Sequence, residues 1–198
     1  MNMKNIRKKM ITMLFLLLLI MPVVSLPGTK AEAAPAYKKL YQKYLTTHRK
    51  YDKKFYILNV DQKGVPELIT SSGSMGIGGY KVFTVKKGSV VQIGDFVCKG
   101  GSSCLYYNRK YKGLYASGWT NGIGGSWGNV YVISNGKLRL KYHAREAHNP
   151  KDVYYYGKND VSAKKVSRSA YKKYVKKYMS NYKSYEMKNN TPSNRKKI

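Results

Sequence analysis

Along the chain the spacing of apolar residues changes twice, and each change marks a change of element. Tyr37, Leu40, Tyr41, Tyr44 and Leu45 recur at helical spacing behind Pro35, which predicts an amphipathic helix over Ala36 to His48. From Phe55 to Tyr156 the pattern shifts to short β-branched and aromatic runs broken by Gly and Asn, the signature of antiparallel strands. Strands are predicted at Phe55 to Val60, Glu67 to Ser71, Tyr80 to Val85, Val90 to Val97, Leu105 to Asn108, Gly113 to Trp119, Asn129 to Ser134, Lys137 to Arg145 and Val153 to Tyr156. Asn135-Gly136 accepts the positive φ of a two-residue hairpin turn and joins two of them. Helical spacing returns after Ser167, a good cap, with Ala170, Tyr171, Tyr174, Val175, Tyr178, Met179 and Tyr182 on one face. Lys172, Lys173, Lys176 and Lys177 form the other face, and residues 188–198, without apolar periodicity, are expected to be a disordered basic tail.

These elements predict one α+β domain over residues 34–187, an antiparallel β-meander with an N-terminal and a C-terminal amphipathic helix packed on it. An internal echo fits a degenerate duplication: Met75-Gly76-Ile77-Gly78-Gly79 and Asn121-Gly122-Ile123-Gly124-Gly125 each lead into a strand, a turn and a further strand. Ahead of the domain, Lys4, Arg7, Lys8 and Lys9 precede an apolar run from Ile11 to Val24, and Ala31-Glu32-Ala33 supplies the small-x-small pattern of a cleavage site. Residues 1–33 therefore read as a signal peptide, and the protein as secreted and retained at the cell surface.

Composition adds charge to this picture. The chain carries 38 Lys and Arg against nine Asp and Glu, a formal net charge of +29, and 20 Tyr against four Phe. Most of the surplus falls on the two helices and the tail. Such a balance favours polyanionic partners held by many weak contacts, here an anionic envelope polymer such as teichoic acid or an acidic polysaccharide. Peripheral contact with anionic membrane through the Ser167 to Tyr185 segment is the second class of reading. Specific nucleic-acid binding is not expected, because the aromatics lie on apolar faces, and the chain is read as a monomer.

Candidate chemistry is sparse. Leu58-Asn59-Val60-Asp61-Gln62-Lys63-Gly64-Val65-Pro66-Glu67-Leu68-Ile69 resembles the Asp-x-Asn-x-Asp-Gly-x-Pro-Glu-Leu loop of FG-GAP and VCBS-type repeats and of exported Gram-positive proteins without assigned function. In that family oxygen ligands at alternate positions hold Ca²⁺; the matching residues are Asn59, Asp61, Lys63 and Glu67, and an ammonium at Lys63 spoils the ligand set, so no metal and no cofactor is expected. Cys98 and Cys104 are the only cysteines and predict a disulfide in an oxidising exterior. His143, Glu146 and His148 lie close in sequence, but on a strand His143 and Glu146 face opposite sides. No Gly-x-Ser-x-Gly elbow or Walker loop is present, which leaves a secreted enzyme as the third class. Tyr115, Trp119 and Trp127 flank the second Gly-rich stretch and offer either packing on a sheet edge or rings on which a sugar can stack. They and the four helix lysines are the candidate ligand-binding residues.

Overall fold

The computed structural model describes residues 33–72, 77–99, 104–120, 124–148 and 151–198. The expected leader lies outside them except for Ala33, as do residues 73–76 and 121–123 of the two Gly-rich stretches. The order of elements is α1 (Ala33–Thr47), β1 (Lys54–Leu58), β2 (Glu67–Ser71), β3 (Ile77–Lys86), β4 (Ser89–Lys99), β5 (Cys104–Asn108), β6 (Gly113–Thr120), β7 (Gly125–Ser134), β8 (Lys137–Ala147), β9 (Val153–Gly157), β10 (Lys164–Val166), α2 (Arg168–Tyr178), β11 (Lys183–Glu186), β12 (Lys188–Asn189) and α3 (Pro192–Lys196). The fold is α+β, with antiparallel pairing throughout. One sheet runs β12-β1-β2-β3-β4, the other β10-β9-β8-β7-β6-β5-β11.

Alternation along the strands divides the apolar residues into three layers. The largest cluster is shared by both sheets, with Ile69, Tyr80, Val82 and Phe96 from the first meeting Leu105, Tyr107, Leu114 and Ala116 from the second. On the far side of the first sheet Tyr41 and Leu45 of α1 cover Phe55, Leu68 and Phe83. On the far side of the second, Tyr171, Tyr174, Val175, Tyr178 and Met179 cover Val130, Ala144, Tyr142 and Tyr156. The result is a helix, two sheets and a helix stacked in turn. Gly94 lets the sheets approach: a Cβ there would stand 2.6 Å from the Cβ of Leu138.

Two hairpins repeat one geometry. Lys87-Gly88 and Asn135-Gly136 both have positive φ, and each turn is followed by a register shift, between Val82 and Phe83 in one hairpin and between Val130 and Tyr131 in the other. Their facing differs. Val82 points into the shared interior, whereas Val130, at the same place relative to its turn and bulge, points toward α2. The hairpins therefore turn opposite faces to the common core.

Several elements depart from the expected pattern. The second helix ends at Tyr178 instead of running on to Tyr182, because the chain turns through Asn181 at φ 63° and enters β11. That strand fills the open edge of β5, pairing Lys183 with Tyr107 and Tyr185 with Leu105. Residues 188–198, expected to be disordered, form β12 and α3. Arg195 is buried, with Nη1 donating to the Asn190 carbonyl at 3.2 Å and to Asn190 Oδ1 at 2.8 Å. Asn190 Nδ2 in turn donates to the carbonyls of Leu45 and Asp52, so polar contacts rather than apolar periodicity fix this segment. Cys98 is a buried free thiol whose Sγ donates to the Ser117 carbonyl at 3.2 Å; the side chain of Cys104, its expected disulfide partner, lies outside the described residues. No helix among the described residues is long and apolar enough to cross a membrane.

Candidate polyanion groove and aromatic pocket

The turn from β5 to β6 carries Arg109-Lys110-Tyr111-Lys112, and Asn108 shapes it. Asn108 is buried and its Oδ1 accepts from the backbone N–H of Lys110 at 2.9 Å and of Tyr111 at 3.2 Å. Its Nδ2 donates to the carbonyls of Ser180 and Asn181, both at 3.2 Å. One side chain thus ties the basic turn to the link between α2 and β11.

Between these segments lies a depression of about 680 Å³ lined by Arg109, Lys110, Lys176, Lys177 and Lys183, with Tyr107, Tyr111 and Tyr185 and without an acid. It adjoins a second of about 760 Å³ at Tyr111, where Lys63, Lys112, Arg139 and Lys141 face a single acid, Asp61. All these basic side chains are exposed. Their stems lean on aromatic faces: Lys110 Nζ lies 5.7 Å from the Tyr111 ring centroid, Lys177 5.0 Å from Tyr178, Lys183 5.6 Å from Tyr185 and Lys141 5.3 Å from Tyr142. Donation of a hydrogen bond to the Tyr178 oxygen raises the pKa of Lys177. Gathering like charges in one depression raises the local positive potential.

The four lysines singled out on the second helix are divided by the structure. Lys176 and Lys177 line the groove; Lys172 and Lys173 are exposed one turn earlier, outside it. The tyrosine face of α2 packs half-buried on the sheet, and its lysine side is exposed to solvent. The turn at Arg109 to Lys112 escaped the sequence reading, although an Arg-Lys-Tyr-Lys run in a two-strand link was a visible signal. Arg139 and Lys141 lie on alternate, outward positions of β8 and carry no signal apart from that alternation.

The calcium-type loop is occupied by backbone donors. Asp61 Oδ1 accepts from Lys63 N at 2.8 Å, and Glu67 Oε2 accepts from Val60 N at 2.8 Å. Asn59 Oδ1 is buried without a hydrogen-bond partner. Among the described residues no group of three or more His, Cys, Asp or Glu is arranged to hold a metal ion.

Tyr115 and Trp119 share one face of β6 and border a pocket of about 350 Å³ roofed by Tyr171, Val175 and Met179 of α2. Trp127 also borders it, yet packs its side chain on the interior between the sheets. Glu146 reaches the same pocket, where Oε1 accepts from Ser126 Oγ at 2.8 Å. His148 stands between two carboxylates, 3.9 Å from Glu146 and 3.0 Å from Asp152. His143 faces the other way, as strand alternation requires: Nδ1 contacts Asn129 Oδ1 at 2.7 Å, and Nε2 lies 3.4 Å from Asp160 Oδ1, a charge contact without hydrogen-bond geometry. Burial lowers the His143 pKa and favours the neutral ring. The histidines and Glu146 therefore do not converge on one site.

No protein-family model, curated protein or solved structure matches the chain. The functional reading rests on these two sites.

Proposed function

We propose that this is an exported, non-enzymatic protein that binds an anionic envelope polymer or acidic polysaccharide through the groove around Tyr111. The observation that carries the reading is the lining itself, in which Arg109, Lys110, Lys176, Lys177 and Lys183 gather on one depression without an acid and four further basic residues extend it. Charges brought together by five separate segments raise the local potential more than the same charges spread over a surface. The contacts are partly screened, so binding is salt-sensitive and broad in specificity. Tyrosine faces beneath the lysine stems add contact area at small entropic cost.

The test is retention of the protein on immobilised glycerol-phosphate polymer across a salt series. Reversing Arg109, Lys110 and Lys112 to Glu should lower affinity by at least about tenfold and shift release to lower salt. Reversing Lys39, Lys172 and Lys173, which are exposed and lie outside the groove, changes net charge by the same amount and should have a clearly smaller effect. Equal losses in both variants would reduce the groove to general charge and overturn the proposal.

A further inference from the structure

The pocket beneath α2 differs in chemistry from the groove. Trp119 is 69% exposed, more open than the other exposed large aromatic side chain among the described residues, Tyr51. Its neighbours on the same face of the sheet, Tyr115 and Ser117, continue into the pocket, and Glu146 closes one side. Gly128 has no side chain, which lets two of the lining residues close over it: a Cβ there would meet Tyr115 Oη at 2.9 Å and Met179 Sδ at 3.2 Å. Tyr171 is held between sheet and solvent, and burial, then the charge of Glu146, push its phenol pKa up, so it stays a protonated donor.

Three polar groups here have no hydrogen-bond partner among the described residues: the indole N–H of Trp119, the hydroxyl of Tyr171 and the Oε2 of Glu146. All three belong to side chains that line the pocket. Two donors and an ionised acceptor beside an exposed flat ring match a ligand that has an apolar face edged with hydroxyls. A phosphate would meet the Glu146 carboxylate, and no Lys or Arg is among the described residues lining the pocket. A peptide segment would need backbone pairing that the pocket does not offer.

We propose that this pocket binds an uncharged pyranose ring, stacked on Trp119 with its hydroxyls donating to Glu146 and accepting from Tyr171. The volume of about 350 Å³ falls in the range of small-molecule sites and suits one sugar unit of a longer chain. The site is independent of the groove: it lies on the sheet side of α2, and its acid has the opposite charge to the Arg and Lys residues lining the depression at Arg109.

The experiment follows the two indole N–H resonances of the full chain by NMR, assigned with Trp127→Phe, during titration with cellotetraose and with the N-acetylglucosamine tetramer. The Trp119 resonance should shift saturably with either sugar, with a dissociation constant at or below about the millimolar range, while the Trp127 resonance moves little. Glu146→Gln, which preserves size and the bond from Ser126, should weaken binding about tenfold, and Trp119→Ala should abolish it with the remaining amide spectrum unchanged. Reversal of Arg109 and Lys110 to Glu should leave sugar affinity unaltered, which separates this site from the groove. Absence of a saturable shift at about 10 mM of both sugars overturns the proposal. So does an equal response to tetramethylammonium chloride, which would make the pocket a cation cage, or full affinity in Glu146→Gln.

Discussion

The carboxyl of Glu67 is buried, accepts one backbone N–H, and has a pKa pushed up to about 7, because burial outweighs the bond from Val60. A folded-state pKa above the ordinary 4.5 means that the protonated form is the one the fold favours. This contribution is fully present below 4.5 and is lost as pH rises through about 7, a difference of roughly 3 kcal/mol at the limit. His143 acts in the opposite sense. Its lowered pKa favours the neutral ring, so its share of stability is present above 6.5 and falls away in acid. Glu67→Gln should therefore raise the melting temperature at about pH 8 by several degrees and flatten the decline between about pH 5 and pH 8; a decline as steep as in the parent would exclude Glu67 as its source. From sequence, Glu67 was legible only as a position in a loop pattern. Its burial depends on Tyr107, whose hydroxyl donates to the Val60 carbonyl at 3.0 Å from 47 residues away, and no local pattern reports that.

At the scale of elements, the strands whose own residues alternate were legible, and those completed by a distant edge were not. The runs at Tyr80 to Val85 and Lys137 to Arg145 carry enough β-branched and aromatic residues to declare themselves. Lys183–Glu186 has one partly buried side chain, Tyr185, and becomes a strand because β5 leaves an edge to pair with. The same holds for Lys188–Asn189 on β1. Polar composition therefore misled for residues 188–198, where a buried Arg195 and the amide of Asn190 do the anchoring that apolar residues do elsewhere. Deleting this segment removes an edge strand and the cover of α1, and should lower the melting temperature by roughly 10 °C in a thermal unfolding scan. A loss under about 2 °C would show that the segment is only laid against the domain.

At the scale of the whole molecule, the packing of one sheet on the other was beyond reach of the sequence, since it depends on which face each hairpin turns inward. The groove shares this origin. Arg109, Lys176 and Lys183 belong to a turn, a helix and a strand that meet only when β11 joins β5. The aromatic pocket was half legible, because Tyr115 and Trp119 share a face by simple alternation, whereas Glu146 and α2 arrive from elsewhere. Stacking of the sheets concentrates its tolerance at Gly94, where a methyl group would press on Leu138. Gly94→Ala should cost about 1–3 kcal/mol, read from the midpoint of denaturant unfolding, and an unchanged midpoint would mean that the sheets can part without penalty.

The docking of α3 on α1 also governs time as well as space. Gln42 Nε2 donates to the Arg195 carbonyl across 153 residues of sequence, whereas β1 to β4 and β5 to β10 each pair with the next strand in the chain. Loops of that length close late, because their entropy must be met before any contact rewards it. The meander can assemble hairpin by hairpin, while the first sheet gains its outer edge only when the two ends of the fold meet. Until then the underside of α1 and the edge of β1 stay open, and the last step of folding is the one that covers them.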